Sequence, residues 1–114
     1  MLKPVPLTVL EGYEMIPQAI ISRPTSYFAV RHSIPFSHEH DDLDEYEVAA
    51  VQIGDGLVFA MKHYQGYPEN TTTIYLPDRI KRVTEISYVI EAISRELGIS
   101  RDLIMWQRSD DPDL

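Results

Sequence analysis

The stretch that most constrains this chain runs from Thr84 to Leu97. Ile86, Ile90, Ile93 and Leu97 recur at steps of four, three and four, with Val89 beside them. That is one apolar stripe at helical period, and it predicts an amphipathic helix over 84–97 whose striped face must be buried. Thr84 is the expected cap for the free N–H groups, and Glu85 suits the positive end of the helix dipole. Gly98 fits the left-handed position that ends a helix, with Ile99 folding back on the last turn.

No other segment carries that period over a comparable length. Pro4, Pro6, Pro17, Pro24 and Pro35 argue against a helix of any length in the first third. The remaining apolar runs alternate or are β-branched and read as strands. "YFAVRHSI" (27–34) puts Phe28, Val30, His32 and Ile34 on one face. "EVAAVQI" and "LVFAMKHY" flank Gly54-Asp55-Gly56, whose glycines suit a tight hairpin. "NTTTIYLP" stops at Pro77, and a further strand is expected in "LTVLEGYEMI", with a bend at Gly12. The expectation is an α+β fold, with an antiparallel sheet of four to six strands and one principal helix packed on one face.

At 114 residues the chain fits one domain, assigned to 1–108, followed by an acidic tail over 109–114. A chain of this length buries enough surface to fold without disulfide or metal. With no cysteine, thiolate metal sites and thiol nucleophiles are excluded. No apolar run has the ~18 residues needed to cross a bilayer, and the N-terminus lacks a signal-peptide core. The expected location is cytoplasmic, with no membrane partner. Net charge is −8 and uneven: residues 1–47 carry −5, whereas 78–108 carry +1. Such a field repels phosphate backbones and favours cationic partners.

Residues 93–104, "ISRELGISRDLI", resemble the helix-turn-helix pattern of bacterial regulators. Ile93, Leu97, Ile99 and Ile104 fall at core positions, and Gly98 falls at the turn. The resemblance implies a recognition helix opening at Ser100, with Ser100, Arg101 and Arg108 facing DNA. Against it, that helix would carry the apolar block Leu103 to Trp106, which has little to offer base edges. The segment is also nearly neutral, so the phosphate attraction behind DNA affinity is missing. The same letters suit a last strand or short helix packed on the sheet, with Trp106 at least half-buried.

The other segment with possible chemistry is "HSIPFSHEHDDLDEYE". Glu39, Asp41, Asp42, Asp44, Glu45 and Glu47 surround His38 and His40, whose spacing on an extended chain points both rings to one side. With His32 and His63 as further ligands, imidazole and carboxylate suit zinc, nickel or iron. No established metal spacing is present, however, and such a run also reads as a solvated loop. Tyr64, Tyr67, Tyr75, Tyr88 and Trp106 are further candidates for a contact surface. Neither a phosphate-cradling glycine loop nor a nucleophile elbow occurs, and no cofactor is expected. The function these features favour is a small acidic, non-enzymatic module of the antitoxin, immunity, inhibitor or adaptor type. It would use Glu39 to Glu47 against a basic protein, with a homodimer through an uncovered sheet face or edge. The alternatives are a helix-turn-helix regulator and a metal-binding protein or metal-dependent hydrolase.

Overall fold

The computed structural model describes residues 2–54 and 56–110; most of the acidic tail lies outside them. The described residues form seven strands and two α-helices, an α+β fold. In order they are β1 (Lys3–Val5), a 3-10 turn (Leu7–Leu10), β2 (Met15–Ile21), α1 (Thr25–His32), β3 (Ser37–His40), β4 (Glu45–Ile53), β5 (Leu57–Tyr64), β6 (Thr72–Pro77), α2 (Val83–Leu97), a second 3-10 turn (Arg101–Leu103) and β7 (Ile104–Gln107). All pairings are antiparallel, in the order β1-β4-β5-β6-β2-β7, and β3 shares the outer edge of β4 with β1. Two short edge strands, β1 and β3, bring the sheet to seven strands, one more than the upper end of the four to six expected.

The helix expectation holds, with its start one residue early. Arg82 occupies the N-cap position rather than Thr84, which lies inside the first turn. Ile86, Ile90, Ile93 and Leu97 are buried and face Ala19, Ile21, Val51, Phe59, Met61, Ile74 and Leu76 across the core. Gly98 is left-handed at φ 68°, and the N–H of Ile99 donates to Ser94 O at 3.1 Å, closing the helix as its sequence implies.

Residues 27–34 are not a strand. Thr25–His32 is a helical segment behind Pro24, and it buries Thr25 and Phe28 while Val30 faces solvent. Eight residues are too few to fix a two-residue period, and the proline ahead of the first turn suits a helix, with Ile34 buried beyond its end. Ser33, at φ 55°, ends it. His32 therefore leaves the strand face assigned to it. Its Nε2–H donates to Leu97 O at 2.8 Å, tying the end of α1 to an orphan carbonyl at the end of α2.

"LTVLEGYEMI" is mostly a 3-10 turn and connection, and the strand begins only at Met15. Pro17 is tolerated inside β2 because the register shifts between Pro17 and Ala19, leaving Gln18 as a bulge. β2 then runs between β6 and β7. "LIMWQ" contributes the edge strand β7, not a second helix. Ile104 pairs beside Ile21 and Trp106 beside Ile20, with Trp106 42% exposed. Among the described residues no helix is long and apolar enough to cross a membrane.

Candidate functional site: a braced acidic hairpin

Along β4 the odd-numbered residues Ala49, Val51 and Ile53 join the core beneath the helices, and the even-numbered residues point to the other face, open around Tyr46 but closed over Val48 and Ala50. Register carries the same assignment into β3 and β5. His38, Glu47 and His63 form one row on the helix side, and Glu39 and Tyr46 face the open side with Tyr64. His38 and His40 do share a face, as their spacing implies, opposite Glu47 and Glu45.

The acid-rich segment is an ordered hairpin and not a loose loop. Asp41 Oδ1 accepts from the N–H groups of Leu43 and Asp44, each at 2.9 Å, and Asp41 N–H donates to Asp44 O at 3.0 Å. The side chain thus closes the turn on itself, as Asp does at the first position of tight turns. Those N–H groups hold the Asp41 carboxyl below its usual range, with the Tyr64 hydroxyl and the Lys62 charge adding smaller contributions. Asp44 braces the other side: Oδ1 accepts from Glu45 N–H at 2.8 Å and Oδ2 from Gly66 N–H at 3.0 Å. A Cβ at position 66 would stand 3.1 Å from that oxygen, so glycine there lets the two loops approach.

A second brace comes from the open face. Tyr64 Oη donates to Asp41 Oδ2 at 3.1 Å, and its ring lies 4.8 Å from Tyr46 and 5.6 Å from Tyr67. Burial, then this bond, pushes the Tyr64 phenol up to about 12. Lys62 Nζ sits over two of these rings, 5.1 Å from Tyr46 and 5.9 Å from Tyr64, and over a further one, 4.8 Å from Tyr75. Burial lowers the pKa of its ammonium, and the nearby Asp41 charge opposes that shift. Lys62 is the only Lys or Arg between residues 48 and 77, and it is held by ring faces beneath the acidic turn. Tyr64, Tyr67 and Tyr75, candidates for a contact surface by sequence, do cluster here, but Tyr75 is buried, and the sequence pointed to neither the lysine nor Tyr46. Tyr88 and Trp106 lie apart, on α2 and β7.

On the helix side, His38, Glu45, Tyr46, Glu47, His63, Gln65 and Glu69 line a cavity of about 370 Å³. Glu47 Oε1 accepts from Thr25 Oγ1 at 3.0 Å, which joins the start of α1 to the hairpin. Glu47 Oε2 lies 3.9 Å from His38 Nε2, a long contact on a mostly exposed imidazole and worth little. His63 Nδ1 is buried with no hydrogen-bond partner. Among the described residues no three of His, Asp and Glu converge so as to hold a metal ion. The four histidines are dispersed, with His32 on α1, His40 at the hairpin tip, and only His38 and His63 sharing this cavity.

Six acids were expected to act together, and their roles divide. Asp41 and Asp44 build the turn, and Glu47 holds Thr25. Glu39, Asp42 and Glu45 are exposed. At the tip between Asp42 and Asp44 stands Leu43, 93% exposed, a residue that sequence reasoning passed over.

The residues assigned to a recognition helix do not form one. Ser100 precedes a three-residue 3-10 turn, its hydroxyl donating to the Asp102 carboxylate; Arg101 is in that turn. Arg108 follows β7, with Nε donating to Gln18 Oε1 at 2.7 Å. Of the apolar block Leu103 to Trp106, Leu103 and Ile104 pack against the core, whereas Met105 and Trp106 stay exposed on the edge strand. No family model matches the chain, and neither a curated protein nor a solved structure matches it.

Proposed function

We propose that the protein is a non-enzymatic interaction module that binds a basic segment of another protein through the tip and outer edge of the β3–β4 hairpin. The observation that carries this reading is Leu43, almost wholly exposed on a turn whose backbone is fixed by Asp41 and Asp44. A large apolar side chain on a rigid turn loses little entropy when a partner covers it, and full burial contributes about 1.5–3 kcal/mol. Around it, the exposed carboxylates of Glu39, Asp42 and Glu45 give the rim a negative field, which selects cationic partners and speeds encounter.

The test is a titration with lysine- and arginine-rich peptides carrying one central leucine or phenylalanine, read by fluorescence polarisation. Wild type is expected to bind such peptides with an affinity that falls as salt rises. Leu43→Ser is expected to weaken binding about tenfold at every salt concentration, in line with loss of one buried apolar anchor. Asp42→Lys with Glu45→Lys is expected to remove the salt dependence. Equal binding by wild type and both variants sinks the reading.

A further inference from the structure

We propose that the cavity beside the β2 bulge binds a small carboxylate with a compact apolar body, held by the Arg108 guanidinium. Ile16, Gln18, Asp78, Ile80, Lys81 and Arg108 line this cavity of about 290 Å³. It lies by β2, away from the acidic hairpin at the opposite edge of the sheet, and neither surface depends on the other.

The site begins with a backbone irregularity. The register of β2 against β6 shifts between Pro17 and Ala19, so Gln18 is the extra residue, and a bulge re-aims the side chain it carries. Gln18 is 3% exposed, and a buried amide must find hydrogen-bond partners. Its main-chain O accepts from Arg108 N–H at 3.0 Å, and its Oε1 accepts from Arg108 Nε at 2.7 Å. That donor fixes Oε1 as the acceptor. Nε2 is left as a donor, and it has no partner among the described residues.

The same bond orients Arg108. With Nε spent on Gln18, the two terminal nitrogens form a fork held in one plane, which suits the two oxygens of a carboxylate. Neither Arg108 nor Lys81 has a carboxylate within ion-pair distance among the described residues. Asp78 is the one acid in the lining, so two cations against one acid leave it at +1 in a chain of −8. Salt screens the distant acidic hairpin, and these near charges decide what enters. Ile16 and Ile80 supply the apolar wall, and Ile80 belongs to the core. Apolar walls with a few placed polar groups are the pattern of a small-molecule site, and this volume admits only a compact body. Phosphate would engage the fork and leave the isoleucines uncovered. A neutral amide would cover them and leave Arg108 unpaired. A carboxylate on an apolar body satisfies both.

The experiment is a nuclear magnetic resonance titration of the isotope-labelled full chain, with benzoate, benzamide and inorganic phosphate as probes. Benzoate is expected to shift the Gln18 side-chain amide and the Arg108 Nε–H saturably, while Leu43 at the hairpin tip stays still. Benzamide keeps the body and phosphate keeps the charge, and each is expected to bind about tenfold more weakly. Arg108→Lys keeps the charge but loses the fork, and is expected to weaken benzoate about tenfold while leaving benzamide unchanged. Lys81→Gln changes an exposed side chain that the fold does not need, and is expected to weaken benzoate about threefold. A wild type without a saturable benzoate shift overturns the proposal, as does benzamide or phosphate binding equal to that of benzoate. Wild-type affinity for benzoate in folded Arg108→Lys overturns it too. If that variant fails to fold, wild-type affinity in Lys81→Gln does the same.

Discussion

Ile90 lies beneath α2 with 3% of its surface exposed, in contact with a core that has no loose side. Truncation to alanine leaves a cavity that rigid neighbours fill only in part, so Ile90→Ala is expected to cost about 2–4 kcal/mol in urea unfolding. Asp41 supplies a pH signature. Its carboxyl is lowered first by the N–H of Leu43 and then by that of Asp44. A carboxyl lowered by folding contributes stability above its unfolded value, near 4, and that contribution is lost as pH falls through the lower folded value. Asp41→Asn keeps an acceptor for both N–H groups but has no such titration. It is expected to be less stable than wild type at pH 6 and to close the gap as pH falls towards 2, read from denaturation midpoints. The histidine spacing and the acid run were legible in the sequence. The division of labour among the acids was not, because it depends on Tyr64, Gly66 and Thr25, which only β-pairing and the α1 placement bring near.

Helix α2 could be read from its period, β4 and β5 from apolar runs that flank a glycine turn, and β6 from a β-branched run that ends at Pro77. Residues 1–37 could not. There the prolines that argue against a long helix also begin a short one at Pro24 and sit within a strand at Pro17, and both outcomes rest on contacts with distant parts of the chain. The end of α2 offers a direct check. Gly98 has φ 68° and nothing within 4 Å of where a Cβ would stand, so the penalty for a side chain is conformational and not steric. Gly98→Ala is expected to cost about 1 kcal/mol, with the fold unchanged by circular dichroism. A cost near zero would mean that the left-handed turn is not retained in solution.

Taken whole, the molecule is a sheet one side of which is closed by segments from near the start and near the end of the sequence. β2, from the first fifth of the chain, is flanked by β6 and by β7, and Gln18 is bonded to Arg108 across 90 residues. Deleting the chain from Ile104 onward should therefore strip one side of β2, uncover Ile20 and Ile21, and abolish cooperative unfolding, measured by the loss of a single sigmoidal urea transition. The same arrangement has a consequence during synthesis. β2 leaves the ribosome early, yet the strand that covers its outer side is made more than eighty residues later, on the order of ten seconds at ordinary elongation rates. Until then the nascent chain presents Ile20 and Ile21 on a strand that lacks β7 on its outer side, and before β6 is made it lacks both neighbours. Closure of this side of β2 waits on the synthesis of β7, and a holdase that recognises short apolar strands has its natural target at residues 15–21.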